Sequence, residues 1–317
     1  MNRLILPGRR CAADGCPVFI ALYLLFVSLL GSCAKEQPAR HYLFLGHPYN
    51  WADTSRVDPR LERLSYSRYD GVWLGGDVCA RTGRKPGNMA YLDSIFDFRK
   101  VHWALGNHDF DFGDPQAILA YLQRPSFYTS WEGGFCLMVL NTNLFHFYAE
   151  NPPQRDCAEK QAQLDMIRAV TDTIRHASHL VILHHHALFN GLKVDAKGDT
   201  LRPFNFNPML IRATCDPASD IGRWVYPLLC AVQERGVQAV LIGGDLGMQA
   251  KSFEFRSPEG VWMLGSGINN SVDPEYAPEY VKDFSPDKVL ELTYAPKERR
   301  LSWRFTLLDE LVKEQKE

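Results

Sequence analysis

KVHWALGNHDF (100–110) decides the reading of this chain. An apolar run stops at Gly106 and gives way at once to Asn107, His108 and Asp109, which carry an amide, an imidazole and a carboxylate. A buried strand that ends at a chemical site reads in this way. The same pattern recurs along the sequence. HYLFLG (41–46) runs into His47-Pro48-Tyr49-Asn50, GVWLGG (71–76) into Asp77, LVILHH (180–185) into the triple histidine 184–186, and VQAVLIGG (237–244) into Asp245. CLMVLNT (136–142) is a further apolar strand. Between strands lie helical segments: AEKQAQLDMIRAVTDTIRH (158–176) places Leu164, Ile167, Val170 and Ile174 at the three-and-four spacing of a helix laid on a sheet. Strand and helix in alternation predict an α/β domain.

The last third changes character. KSFEFRS, GVWMLGS, KVLELTYA and RLSWRFTLL alternate apolar and polar residues, as antiparallel strands with one wet face do. The stretch from Gly191 to about Gly222 has little periodicity and reads as a long functional loop. The strand ends of an open α/β sheet face a common crevice, so Asp77, Asn107, His108, His185 and Asp245 are expected around one small volume. Carboxylate, amide oxygen and imidazole together suit a first-row divalent ion better than a soft metal or calcium.

The order of these motifs resembles that of the calcineurin-like metallophosphoesterases: DxH, GDxx, GNH(D/E), a lone His after a strand, and GHxH. The resemblance covers residues 41–307 and implies a four-layer α/β/β/α sandwich with mixed sheets. It implies a hydrolase that cleaves phosphoesters with a metal-activated water, using one or two Mn, Zn or Fe ions per chain. By resemblance, Asp77 is the carboxylate between the metals, Asn107 and His185 are ligands, and His108 touches the phosphate, oriented by Asp109. His184 and His186 are runners-up to His185. Two motifs depart from the pattern together. His47-Pro48-Tyr49 stands for DxH and Gly244-Asp245-Leu246-Gly247 for GHxH. Asp245 and His47 are therefore candidate ligands, with Tyr49 or Asp53 as alternatives at the weakened position and Arg81 as a stand-in cation. His47 and Asp245 are also placed to form a plain imidazole–carboxylate pair. The altered motifs leave open a second reading, a catalytically inactive metal-binding or scaffold protein on the same fold. A Ser or Cys hydrolase lacks its GxSxG elbow.

The N-terminal segment gives an address. PVFIALYLLFVSLLG (17–31) is an uncharged apolar run behind Arg3, Arg9 and Arg10, short for a membrane span and suited to a signal peptide over 1–32. Leu30-Gly31-Ser32-Cys33 resembles a bacterial lipobox, which implies lipidation of Cys33, a tether over 33–40 and an acyl anchor in the cell envelope. By resemblance to enterobacterial lipoprotein sorting, Ala34 after that cysteine, in place of Asp, implies the outer membrane if the cell is Gram-negative. Cys157 and Cys215 sit in loop-like contexts and are candidates to pair there, while Cys136 and Cys230 read as core. Residues 308–317 read as a charged tail.

Composition excludes other classes. Of 317 residues 46% are hydrophobic and 23% charged, which suffices for a large core and rules out a disordered chain. The net charge is −2, and the basic leader makes the remainder more acidic still, so no nucleic-acid partner is expected. The expected partners are a phosphorylated small molecule or lipid as substrate and the membrane through the anchor. The sequence sets no oligomeric state.

Overall fold

The computed structural model describes residues 38–145, 156–189, 204–205, 215, 220–269 and 272–315. The leader, Cys33 and most of the 191–222 loop lie outside them, and among the described residues no helix is long and apolar enough to cross a membrane. Residues 38–317 form one unit built on two sheets.

The first sheet contains β1 (Arg40–Leu45), β2 (Gly71–Leu74), β3 (Val101–Trp103), β10 (Lys288–Ala295) and β11 (Arg300–Leu307), in the order β11-β10-β1-β2-β3. β1, β2 and β3 run parallel, and β10 and β11 add antiparallel. The second has β4 (Tyr128–Trp131), β5 (Cys136–Val139), β6 (His179–His184), β7 (Gln238–Gly243), β8 (Ser252–Arg256) and β9 (Trp262–Ser266), in the order β4-β5-β6-β7-β9-β8. Its four central strands are parallel, with β4 and β8 antiparallel at the edges.

Alternation along the strands builds the layers. In β1, Tyr42 and Phe44 face the second sheet, while Leu43 and Leu45 face outward. In β6, Val181 and Leu183 face the first sheet, and Leu180 and Ile182 face out. Because both faces of these strands are covered, their sequences read as continuous apolar runs. Outside the first sheet pack α1 (Asn88–Phe96) and α3 (Pro115–Leu122), through Leu92, Phe96 and Ile118. Outside the second pack α4 (Cys157–Thr173) and α5 (Ile221–Glu234), through Leu164, Ile167, Val225 and Leu229. The result is the α/β/β/α sandwich with mixed sheets. A one-turn helix, α2 (Asn107–Phe110), follows β3.

Three features differ from the sequence reading or complete it. Residues 308–317 begin not as a tail but as α6 (Leu308–Glu314), because Leu308, Leu311 and Val312 share one face and are buried in the first sheet's outer core. The edge strand β4 was not expected, since two of its residues are half-buried, two are exposed, and they carry no apolar run. Cys157 and Cys215 form a disulfide with Cα atoms 5.8 Å apart, tying the start of α4 to the segment before α5. Cys136 is buried as expected, while Cys230 is only partly covered.

Candidate functional site

The two sheets touch at the carboxyl ends of their parallel strands. Gly75 follows β2 and Gly244 follows β7, and a Cβ built on Gly75 would lie 2.6 Å from the Gly244 Cα. Only glycines permit that approach, which brings the loops after β1, β2, β6 and β7 into one volume. Two residues there hold backbone that side chains rarely adopt: His47 at φ 53° and Asp77 at φ 55°. Such strain persists where the surroundings over-determine it and clusters at functional sites.

Asp77 lies at the centre and is buried. Its Oδ1 accepts the backbone N–H of His108 at 2.8 Å, which fixes the carboxylate. Its Oδ2 lies 3.5 Å from His47 Nε2 and 3.5 Å from His185 Nε2. Asp245 Oδ1 is 4.0 Å from the same His185 nitrogen. His185 Nδ1 donates to the Gly75 carbonyl at 2.6 Å, which turns Nε2 toward the two carboxylates. That Nε2 is buried and lacks a hydrogen-bond partner.

Electrostatics follow from this burial. Desolvation alone would lower the His185 pKa, but Asp77 and Asp245 outweigh it and push it up to about 9. Burial would raise Asp77, but His185, His108 and His47 hold it well below the usual carboxylate range. His47 is driven down to about 3 by burial, against the pull of Asp77. Burial raises the Tyr49 phenol pKa, helped by Asp77.

Of the triple histidine, His185 is the member that faces Asp77. His184 turns its Nδ1 to the His186 carbonyl at 2.9 Å, and His186 pairs its Nδ1 with Thr142 Oγ1 at 2.9 Å. Asn107 is half-buried and directly precedes the N–H that holds Asp77.

One expected role is corrected. Asp109 does not orient His108. Its carboxylate accepts from the backbone N–H groups of Asp77, Val78 and Gly106, from Trp103 Nε1 and from Thr82 Oγ1. It therefore holds the loop after β2 against the loop after β3. Its pKa is raised by burial and by Asp77. The carbonyl of Ala80 takes the orienting role instead, 2.9 Å from His108 Nδ1. Asp53 closes a turn by accepting from Ser55 N and Oγ, and Arg81 is exposed to solvent.

Sequence reasoning missed the loop after β5. Asn143 Nδ2 donates to the Leu105 carbonyl at 2.8 Å, and Thr142 accepts from the His186 backbone, so this loop ties the histidine loop to the one bearing Asn107 and His108. Its signal, Asn141-Thr142-Asn143 directly after an apolar strand, is the one that located the other clusters. From the long loop, Asn205 braces the loop after β7: its N–H donates to the Asp245 carbonyl at 2.8 Å, and its Oδ1 accepts from Met248 N at 3.0 Å.

The donor set bears on metal binding. Two ligands at about 2.1 Å from one ion stand roughly 3.0–3.5 Å apart, the spacing of both imidazoles from Asp77 Oδ2. Among the described residues, however, no three His, Cys, Asp or Glu side chains already converge as a ligand group. The residues thus fit one ion in donor type and pairwise spacing, with the third donor still to close in. Tyr49 and Gly247 stand at two positions where the motif pattern calls for histidine, so a second ion would find fewer of its usual donors here.

No family model matches the chain, and no curated protein does. Among solved structures it is similar to the crystal structure of wild-type Vps29 complexed with Zn2+ from Entamoeba histolytica, at 13% identity and a TM-score of 0.31, over 84% of this chain and 99% of that one. The four-layer fold stands on the strand order and the core clusters described above.

Proposed function

We propose that the chain is a metal-dependent phosphoester hydrolase, held at Cys33 by a lipid anchor in a bacterial envelope. The observation that carries the reading is the buried meeting of Asp77, His185, His47 and Asp245 at the carboxyl ends of strands from both sheets, with His185 Nε2 left without a hydrogen bond. That nitrogen faces two carboxylates without a short hydrogen bond to either, the arrangement an ion seated among them would use. The disulfide between Cys157 and Cys215 supports an oxidising compartment.

Asp77, His185 and Asp245 would hold one Mn, Zn or Fe ion, with His47 at the same oxygen of Asp77 as His185 and Asn107 next in sequence to the N–H that holds Asp77. When bound, such an ion supplies a Lewis acid for a phosphoryl oxygen and lowers the pKa of a coordinated water. The chain's own groups supply orientation. The His108 N–H and the Gly75 carbonyl fix Asp77 and His185 before anything binds, so no side-chain freedom is lost at that step. His108 donates Nδ1–H to the Ala80 carbonyl, so its Nε2 would pass a proton to a leaving oxygen from the imidazolium form and be left as the neutral Nδ1–H ring.

A second reading, a metal-binding lipoprotein without turnover, is supported by the altered motifs His47-Pro48-Tyr49 and Gly244-Asp245-Leu246-Gly247, which lack the usual histidines. Turnover of mono- and diester substrates with Mn, Zn and Fe decides between them. Metal-dependent hydrolysis that disappears in Asp77→Ala supports the enzyme, and bound metal without hydrolysis of any ester supports the second reading.

A further inference from the structure

The two sheets leave a second opening, where β3, the edge of the first, meets β4, the edge of the second. A groove of about 460 Å3 lies there, a volume within the range of small-molecule sites. Gly71 lines it and begins β2, whereas Asp77 follows the other end of that strand. The groove and the candidate metal ligands therefore sit at opposite ends of β2.

Tyr42 on β1 forms part of the groove and is 2% exposed. Its ring is clamped, stacked on Trp73 at 4.8 Å between centroids and edge-on to Phe135 at 5.7 Å. Gly71 makes room for it, since a Cβ there would stand 3.0 Å from Tyr42 Cδ1. A ring packed in this way cannot swing its hydroxyl out to water. That hydroxyl is buried and makes no hydrogen bond among the described residues; the Arg40 guanidinium attracts it electrostatically without reaching hydrogen-bond geometry. Buried hydroxyls are almost always bonded, and an unbonded one beside a groove marks a place for a ligand atom. Burial and the nearby Glu132 push its pKa up to about 12, so it stays a donor at neutral pH.

The surrounding polar groups are already held in place. His102 Nδ1 lies 3.0 Å from the Tyr128 hydroxyl and its Nε2 lies 3.3 Å from Glu132 Oε1, which also accepts from Ser130 Oγ at 2.6 Å. Asp70 accepts the His41 N–H at 2.8 Å. Each carboxylate thus has one partner and keeps lone pairs that suit a neutral hydroxyl. Lys100 and Arg124 add positive charge to the same lining, which suits an anionic group.

We infer that this groove binds a small hydroxylated anion, a sugar acid or a sugar phosphate, with Tyr42 bonding a ligand hydroxyl and Lys100 and Arg124 facing the anionic group. None of these residues belongs to the strand-end site.

Calorimetry on the full chain, in EDTA so that no ester is turned over, uses glucuronate, glucose 6-phosphate, glucose and inorganic phosphate as probes. The expected result is binding of one hydroxylated anion on the order of tenfold tighter than either glucose or inorganic phosphate. Tyr42→Phe removes one hydroxyl and should weaken that anion roughly five- to tenfold, the worth of one hydrogen bond. Its thermal midpoint without ligand should be unchanged or raised, because the free protein loses no bond. Lys100→Gln should weaken the same anion about threefold and leave glucose unaffected. Tighter glucuronate names a carboxylate as the anionic group and tighter glucose 6-phosphate names a phosphate, and both support the site. No binding of either hydroxylated anion at millimolar concentration, or binding no tighter than that of glucose or phosphate, would overturn the inference. So would wild-type affinity or a lowered thermal midpoint in Tyr42→Phe. Binding that survives Tyr42→Phe and disappears in His185→Ala would move the anion to the strand-end crevice and overturn it as well.

Discussion

Replacing Asp109 with Asn tests whether that carboxylate holds the site loops or serves His108. Asp109 is fully buried. One oxygen accepts from Asp77 N at 2.8 Å, Gly106 N at 3.0 Å and Trp103 Nε1 at 3.1 Å, and the other accepts from Val78 N at 3.2 Å and from Thr82 Oγ1. An asparagine keeps one oxygen, and the cheaper orientation leaves it with the first three donors. Its amide then faces Thr82, whose hydroxyl can rotate to accept, and the Val78 N–H, which cannot. That orphaned donor costs about 1–3 kcal/mol, and the remaining bonds weaken as a charged acceptor becomes neutral. Removing a carboxylate that burial and Asp77 already disfavour returns part of this. The net expectation is a loss of about 2–4 kcal/mol, read from urea unfolding followed by tryptophan fluorescence at neutral pH. A loss below about 1 kcal/mol would refute the bracing role.

Reducing the disulfide between Cys157 and Cys215 should destabilise the fold by about 4 kcal/mol, the loop-closure entropy for a separation of 58 residues; equal urea midpoints with and without reductant would refute it. A second expectation concerns pH. His179 is buried in β6, and its pKa is pushed down to about 4, so the unfolded chain binds a proton between pH 6.5 and 4 that the folded chain does not. Stability is therefore full above pH 6.5 and falls by about 2–3 kcal/mol as pH drops through that window. His179→Gln should flatten this part of the profile, and an unchanged slope in the variant would assign the loss to other groups.

The strands of the core were legible because both faces of each are buried, which makes their sequences apolar throughout, as in Val181, Ile182 and Leu183. The convergence of Asp77, His185 and Asp245 was legible because each follows a strand with glycine or histidine at its end. The role of Asp109 was not. Adjacency to His108 suggests a partnership, but consecutive residues in a helical turn project in different directions. In α2, Asp109 instead reaches back to the N–H of Gly106, as a carboxylate in the first turn of a helix does. Sequence carries no information on the apolar cluster of Met248 and Val281 that packs on Tyr49, and this burial is what raises its phenol pKa. The tail became α6 because Leu308, Leu311 and Val312 fall on one face, a period that is easily overlooked among the charged residues around it.

The most direct measurement is the metal content of the chain from Ala34 to Glu317 after equilibration with Mn, Zn or Fe and removal of free ion, beside His185→Ala. The account predicts one ion per chain in the wild type and less than a tenth of that in the variant, with both proteins folded by circular dichroism. Two ions per wild-type chain, equal loading of wild type and variant, or no bound ion with any of the three metals would contradict it.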